Sequence, residues 1–444
     1  MKWFDGAVNR VSRLIIRARD SLYAIPTLIV VGCAGLALAA VYLDASFGET
    51  LAQWPMILGA TVAGARAIAS AVAGATITVA AIVFSITALT TQMASSQYSP
   101  RALGEFFEDP FQQSIIGLVV GTFTYSLVLL ASLGSALLDG SLATPSLGVT
   151  ICIALGVASA IGIVAYINHT LRRMQIDSVV RRIASSSIEA IERHLQERSN
   201  NDIVVEGRPP ESDSRRLKSH RGGWIVTIDE QAILDVLPPG STARVDVRIG
   251  EAVSVSDRIM TIWPDPGESW HGFDHLRRTI VTAHERSVEL DPTFGIRQLV
   301  DIALRALSPG VNDPTTAVDV IHHLKTPVRT VLLSDAPPRV FAGPDERRVF
   351  LDGLPGRSDY VHLAFSEIRL AARRQPYVLA ALIEVLGDLR ADLAEADVER
   401  RAGAVEEELR LTIEAARGDG LPQPDLRRIL ARASMMGLLE EETE

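Results

Sequence analysis

Four long apolar stretches lie in the first 170 residues of the chain, separated by short polar segments. A helix that crosses the hydrocarbon core of a bilayer needs about 20 mostly apolar residues. The pattern therefore predicts a transmembrane domain over residues 1–170, with four spans at about residues 24–43, 69–91, 114–138 and 147–167.

The apolar run that contains the second span starts at Pro55 and ends at Thr91, interrupted only by Arg66. As a single helix this run is about 55 Å long, which is too long for one span and too short for two spans with a turn. We therefore assign residues 51–66 to a helix on the outer membrane surface. Their inclusion in span two is the alternative.

The pattern changes after residue 170. Residues 171–222 predict a helical extension of span four and a polar linker, 223–266 a small β unit, and 267–444 a mainly helical domain. Within the last region, residues 334–357 predict a loop with a hairpin of residues 339–341 and 349–351. The expected fold class is a mainly α membrane protein, in which four transmembrane helices precede a cytoplasmic α+β region. The extension carries an apolar stripe, formed by Val180, Ile183, Ser187, Ile191 and Leu195. Such a stripe needs a packing partner, and another subunit is one candidate.

Charged residues are concentrated in the second part of the chain. Residues 1–170 hold 7 Lys and Arg and 8 Asp and Glu, whereas residues 171–444 hold 36 and 45. The net negative charge of the second part excludes a nucleic-acid binder that relies on net charge. The chain has 40 Arg and only 3 Lys, a bias that is typical of a GC-rich bacterial genome.

Basic residues near the spans lie mostly on one side, with Arg66 at the outer end of span two as the exception. The loop between spans three and four has no Lys or Arg, while Arg19, Arg101 and Arg172 lie near the other span ends. The positive-inside rule then predicts a multi-pass protein of the bacterial inner membrane with both termini in the cytoplasm. A cleavable signal peptide is the competing interpretation of span one, but the long N-terminal region and the continued apolar run argue against it.

Polar side chains recur along span two and just beyond it at spacings that place them on one helical face: Thr78, Ser85, Gln92, Ser96 and Ser99. Hydroxyl and amide groups of this kind line water-filled pores. In that interpretation Arg101, just inside the membrane, biases the inner mouth toward anions. Helix packing is the alternative, because Ser and Thr hydroxyls also bond backbone carbonyls or neighbouring helices.

Small residues are spaced for close contact between helices. Gly117 and Gly121 form a GxxxG pair on span three, and Ala65, Ala69 and Ala73 form a second row at the same spacing. Both rows predict helix–helix contacts, within the chain or between subunits. No Asp, Glu, Lys or Arg lies in the middle of a predicted span, which weakens an ion-coupled carrier more than a channel.

The densest polar cluster of the second part lies between residues 291 and 316. Its candidate ligand or interface residues are Asp291, Arg297, Asp301, Arg305, Asn312 and Asp313. One interpretation is structural, with each Asp before a proline capping a helix and an Arg–Asp–Arg ladder along one helical face. The other interpretation is a site for a small anion or other ligand near the two helix starts.

Two segments of the chain resemble a known family. The run from Met93 to Arg101, Met-Ala-Ser-Ser-Gln-Tyr-Ser-Pro-Arg, and the run from Asp291 to Thr316 are similar to motifs of the bacterial predicted-membrane-protein family called domain of unknown function 2254. The resemblance covers most of the chain, about residues 15–435. It implies an integral inner-membrane protein, and it supplies no activity and no catalytic residues.

Motifs for known chemistry are absent from the sequence. It has no phosphate loop, dinucleotide fingerprint or nucleophile elbow, and its two cysteines, Cys33 and Cys152, lie in apolar runs. We therefore expect that the protein is not an enzyme, has no catalytic residues and binds no metal or cofactor. The leading hypothesis is a homo-oligomeric, channel-like pore in the lipid bilayer, with a cytoplasmic gating or vestibule domain. The alternative is a membrane-anchored sensor or scaffold whose cytoplasmic domain binds a ligand or partner.

Overall fold

The computed structural model describes residues 24–51, 57–58, 61–97, 109–138, 146–173, 176–199, 213–335, 338–418 and 421–436. The chain divides into two compact units, residues 1–175 and 176–444. Each unit has its own hydrophobic core. The division falls where the apolar pattern of the sequence gives way to a charged one.

The first unit is built from four long helices: α1 (Ala24–Leu51), α2 (Val62–Gln97), α3 (Pro110–Leu138) and α4 (Ser146–Arg173). Each contains a stretch that is long and apolar enough to cross a membrane, namely Ala24–Phe47, Val62–Met93, Pro110–Leu133 and Ser146–Thr170. The expected fold class is confirmed, because four candidate membrane helices precede a region of small sheets and helices.

The start of α2 corrects the predicted boundary of span two, because residues 62–66, predicted as part of a separate surface helix, belong to α2. Thr61 begins the helix, since its hydroxyl oxygen accepts a hydrogen bond from the amide of Gly64 at 3.1 Å. Arg66 therefore lies inside α2 rather than at a boundary. The helix then continues because no proline interrupts it. Most of residues 52–60 lies outside the described part of the chain.

Glycine allows α3 to approach α1 closely. A Cβ atom added at Gly117 would lie 3.0 Å from Pro26 Cα, and one added at Gly121 would lie 2.8 Å from Cys33 Sγ. These separations are shorter than ordinary van der Waals contact, so the predicted GxxxG pair forms a contact within the chain. The predicted alanine row of α2 is also buried within the unit: Ala65, Ala69 and Ala73.

Asp44 joins the end of α1 to the start of α4. Its carboxylate oxygens accept hydrogen bonds from the amides of Leu147 at 2.9 Å and Gly148 at 2.8 Å. The first amides of a helix have no acceptor within that helix, so Asp44 caps α4 from outside. Tyr125 of α3 donates to the carbonyl of Gly148 at 3.0 Å and brings a third helix to the same buried junction.

The second unit begins with α5 (Ile176–Ser199), whose apolar stripe packs within the chain. Its neighbours are α8 (Pro292–Ala306) and α9 (Pro314–Leu333). Gly295 of α8 lies directly against Ser187, because a Cβ atom at the glycine would overlap the serine hydroxyl. The stripe therefore has an intramolecular partner and does not need another subunit.

Eight strands form two sheets in the described part of the second unit: β1 (Arg215–Lys218), β2 (Gly223–Ile228), β3 (Thr242–Val245), β4 (Ala252–Val253), β5 (Arg258–Trp263), β6 (Ile280–Ala283), β7 (Val340–Ala342) and β8 (Arg348–Phe350). One sheet has the order β1-β5-β3-β8-β7 and the other the order β4-β2-β6. β3 and β8 pair in parallel, and the other neighbours are antiparallel. Two short helices, α6 (Glu230–Val236) and α7 (Phe273–Arg278), connect strands.

The sheets extend beyond the predicted β unit of residues 223–266 on both sides. β1 lies in the segment predicted as linker, and Leu217 is the only buried residue of this strand. A strand with so little apolar alternation is hard to recognise in a sequence. β7 and β8 come from a distant part of the chain and join through the parallel pair of β3 with β8. Residues 174–175 and 200–212, where the predicted extension and linker continue, lie outside the described residues.

Four further helices complete the second unit: α10 (Arg357–Ala371), α11 (Pro376–Glu395), α12 (Gly403–Gly418) and α13 (Gln423–Met435). α11 packs on α9, α12 and α13, while α10 packs on α8 and α12. A 3₁₀ turn, Glu399–Arg401, precedes α12. The region after residue 267, predicted to be mainly helical, also contributes β6 to the sheets. The hairpin predicted in this region is present as the antiparallel pair of β7 and β8.

Candidate functional site

The polar stripe predicted on span two lies on the exposed surface of the first unit. Three of its members have exposed side chains on α2: Thr78, Ser85 and Gln92. The Thr78 hydroxyl donates to the carbonyl of Gly74 and the Ser85 hydroxyl to that of Ala81, each at 2.9 Å. The other predicted pore residues have side chains outside the described part: Ser96, Ser99 and Arg101.

The exposed side of α2 carries a regular row of small and polar residues, which we call the span-two face. The row advances by alternating steps of four and three residues: Ala67, Ala71, Gly74, Thr78, Ala81, Ser85, Ala88 and Gln92. Such steps average 3.5 residues, the repeat at which a helix keeps one side toward a neighbouring helix. A Cβ atom added at Gly74 would meet no described atom within 4 Å, so the face is open within the described chain.

The threonines on the other side of α2 pack inside the first unit. Thr76 is buried, and its hydroxyl donates to the carbonyl of Val72 at 2.8 Å. The Thr87 hydroxyl lies 2.6 Å from the hydroxyl of Tyr166, a buried residue of α4. The two polar stripes of α2 therefore differ in their surroundings, since one lies inside the bundle and the other on its surface.

Asp291 and Asp313 both cap helices in the second unit. Asp291 Oδ1 accepts from the amide of Thr293 at 3.0 Å at the start of α8, and Asp313 Oδ1 accepts from the amide of Thr316 at 3.1 Å at the start of α9. Hydrogen bonds from the hydroxyl and the amide of Thr316 lower the pKa of Asp313. Asp291 is buried and also binds Arg286 Nε at 2.8 Å, so both of its oxygens are occupied.

Arg297 and Asp301 form an ion pair one helical turn apart on α8, with 2.7 Å between Arg297 Nη2 and Asp301 Oδ1. Arg297 also donates to both carboxylate oxygens of Glu367 on α10. The hydrogen bond to Glu367 raises the pKa of Arg297. Arg305 lies in the last turn of α8 with an exposed side chain.

Asn312 lies in the turn between α8 and α9 with a φ of 48°. Its side-chain oxygen accepts a hydrogen bond from Gln375 Nε2 at 3.1 Å. The six predicted ligand residues thus lie along α8, in the turn after it and at the start of α9. The contacts described for Asp291, Arg297 and Asp313 are helix caps and ion pairs. This arrangement favours the structural interpretation of the cluster.

One group of three side chains in the described chain has the spacing of metal ligands. Asp177, Asp319 and His323 place their ligand atoms within 4.8 Å of one another. Asp177 is exposed and already pairs with Arg181. A cation at this position would have to displace the guanidinium group and would find three protein ligands, whereas structural zinc sites have four.

Comparison with known proteins places the chain among predicted membrane proteins. The model of a family described as predicted membrane protein (DUF2254) matches residues 19–388. An uncharacterised protein of Mycobacterium bovis is 32% identical over 384 residues, which cover 83% of this chain and 71% of that protein. An uncharacterised protein of Mycobacterium tuberculosis matches with the same identity and coverage. No solved structure matches the chain significantly.

Proposed function

Since the chain belongs to the DUF2254 family of predicted membrane proteins, we propose that it forms an oligomeric, channel-like pore with the span-two face toward the axis. The observation that carries the proposal is the exposed row of small and polar residues on α2. In this proposal the protein lies in the bacterial inner membrane with both termini in the cytoplasm. The second unit then forms a cytoplasmic vestibule or gate.

Small residues on the span-two face support assembly between copies. Lipid chains are as apolar as leucine, so helices in a bilayer associate through close packing and polar contacts rather than through the hydrophobic effect. Ala71, Gly74 and Ala81 allow such packing, and the 3.5-residue repeat suits a left-handed bundle of parallel helices. A ring of identical copies repeats one contact until it closes.

Polar groups on the same face support a water-filled axis. The hydroxyls of Thr78 and Ser85 donate to their own helix backbone, which leaves their oxygen lone pairs available to water. Gln92 adds an amide with both donors and an acceptor. Residues 67–97 contain no charged side chain, and Arg101 beyond them biases the inner mouth toward anions.

Replacing Ser85 and Gln92 together with leucine is expected to abolish single-channel conductance of the purified protein in planar bilayers. Two leucines per copy would convert the axis into an apolar constriction, which dewets. The matched control replaces Val157 and Val164 of α4 with leucine, because both valines are exposed on a helix outside the proposed axis. This control should conduct like the wild type.

Unchanged conductance in the Ser85→Leu/Gln92→Leu variant would remove α2 from the pore. An equal loss of conductance in the α4 control would also overturn the assignment, because the effect would then follow from adding leucine to any exposed helix face.

A membrane-anchored sensor or scaffold is the second candidate. In this role the four spans anchor the chain, and the second unit binds a ligand or partner. The observation that favours it is a large cavity in the second unit with several arginines in its lining. Neither candidate involves a catalytic step.

A further inference from the structure

A cavity of about 800 Å³ lies in the second unit, where α5, α9, α10 and the turn before α12 meet. This volume is in the range of pockets that bind small organic ligands. Four arginines belong to its lining: Arg339, Arg357, Arg400 and Arg401. Asp335 is the only carboxylate among the lining residues. The cavity is therefore positively charged, although the second part of the chain has a net negative charge.

Two of the four arginines are held by the fold. Arg401 donates to three successive backbone carbonyls at the end of α9 and pairs with Asp335 at 2.8 Å. Arg339 donates to the carbonyl of Leu354 at 3.0 Å. These bonds fix both guanidinium groups at the cavity wall. The backbone carbonyls among their partners have no net charge, so they do not neutralise the positive charge of the arginines.

The other two arginines retain hydrogen-bonding capacity. Arg357 donates from one terminal nitrogen to the carbonyl of Ser334, while its Nε is buried without a hydrogen-bond partner in the described structure. Arg400 has no hydrogen bond or ion pair within the described residues. Burial and the nearby charge of Arg401 lower the pKa of Arg357. An anion beside the terminal nitrogens of these arginines would relieve the repulsion between their charges.

The start of α10 lines the same cavity. Gly356, Arg357 and Ser358 form this first turn. The amide of Gly356 donates to Asp359 Oδ2 at 2.7 Å. The amides of Arg357 and Ser358 have no acceptor within the helix, whereas the amide of Asp359 donates to the carbonyl of Gly356 at 3.0 Å. The helix dipole adds positive potential at this helix start. Such a helix start favours phosphate, above all beside arginine side chains.

Much of the remaining lining is apolar or aromatic, and includes Ile191, Leu195, Val331, Leu354, Pro355 and Tyr360. We propose that the cavity binds a phosphate monoester, whose phosphate lies against Arg357, Arg400 and the start of α10 and whose organic body packs on the apolar lining. A phosphate monoester carries about −1.5 to −2 charges at pH 7 and offers three acceptor oxygens. The proposal holds with or without a pore in the first unit.

Titration calorimetry on the full chain in detergent tests the proposal with AMP, glycerol 3-phosphate and adenosine. AMP has both a phosphate and an aromatic base that can pack on the apolar lining, so we expect saturable binding. Glycerol 3-phosphate lacks the aromatic base and should bind roughly tenfold more weakly or worse. Adenosine lacks the phosphate and should give no measurable binding.

Arg400→Gln is the decisive variant, because Arg400 has no bond within the described fold to lose. It should weaken AMP binding by roughly tenfold to a hundredfold, the usual effect of losing a charge-assisted hydrogen bond. Arg410→Gln is the matched control, since Arg410 is an exposed arginine of α12 that pairs with Glu414 and does not line the cavity. This control should bind AMP like the wild type.

Wild-type affinity for AMP in Arg400→Gln, an equal loss in Arg410→Gln, or the absence of saturable AMP binding would each overturn the proposal. Glycerol 3-phosphate binding as tightly as AMP would overturn the role of the apolar lining. Nanodiscs of phosphatidylcholine with and without phosphatidic acid separate the two sources of a monoester. Loss of AMP binding in the presence of phosphatidic acid supports a lipid ligand, and retention supports a soluble one.

Discussion

Replacing Glu408 with alanine is expected to lower the free energy of unfolding of the second unit by about 3–5 kcal/mol. Glu408 of α12 is fully buried. Its carboxylate accepts hydrogen bonds from Arg369 Nε at 2.6 Å and from the Ser366 hydroxyl at 2.9 Å, both on α10. Removing the carboxylate leaves a largely buried guanidinium group without its partner and without the water it would have when unfolded.

Glu406→Ala is the matched control on the same helix. Glu406 is exposed and lies 3.6 Å from Arg390, and an exposed ion pair contributes only about 0–1 kcal/mol. Urea unfolding of the full chain in detergent, followed by tryptophan fluorescence, measures both variants, because 3 of the 5 tryptophans lie in the second unit. Equal losses in the two variants would contradict the role of Glu408 as the buried partner of Arg369.

Asp291→Ala is expected to destabilise the second unit by about 3–5 kcal/mol, and Asp313→Ala by about 0.5–2 kcal/mol. Both residues cap a helix ahead of a proline, but Asp291 is buried and binds Arg286 as well. The guanidinium carbon of Arg286 lies 4.6 Å from the ring centre of Phe294 and 5.6 Å from that of Trp224. These contacts hold the arginine in place, so loss of Asp291 leaves its charge uncompensated.

Asp291→Asn separates the two roles of Asp291 in the same urea experiment. Asparagine caps helices about as well as aspartate, so this variant keeps the cap and loses the charge that faces Arg286. We expect its stability to fall between those of the wild type and Asp291→Ala. Equal shifts of the unfolding midpoint for Asp291→Ala and Asp313→Ala would show that the ion pair with Arg286 contributes nothing.

Features that depend on neighbouring residues could be predicted from the sequence. The four membrane helices follow from runs of about 20 apolar residues. The caps at Asp291 and Asp313 follow from a single dipeptide, Asp-Pro, at each helix start. The apolar stripe of α5 was visible as well, but its partner was not, because periodicity defines a face and does not identify the helix that packs on it.

Contacts between distant residues could not be predicted in this way. Asp44 binds amides 103 and 104 residues away, and Glu408 binds an arginine 39 residues away. A single Asp or Glu in the sequence carries no sign of such a partner. The parallel pair of β3 with β8 could not be predicted for the same reason, since no turn connects its two strands directly.

The candidate site on α2 also has one part that the sequence predicts and one part that depends on contacts between distant residues. The spacing of Thr78, Ser85 and Gln92 places them on one face, while Thr76 and Thr87 belong to another. Only the packed bundle distinguishes the two, because Thr87 meets Tyr166 inside the unit and Ser85 is exposed. The arginine cavity of the second unit also arises from separate segments that have no shared sequence motif.

Native mass spectrometry of the full chain in detergent tests the proposed pore most directly. The span-two face of one chain lies on the exposed surface of its helix bundle, so a pore along this face requires several copies around an axis. We predict a single closed ring of about four or more copies, which symmetric assembly through one repeated contact would produce. A monomer would contradict the proposal, because the span-two face would then meet lipid and no axis would exist.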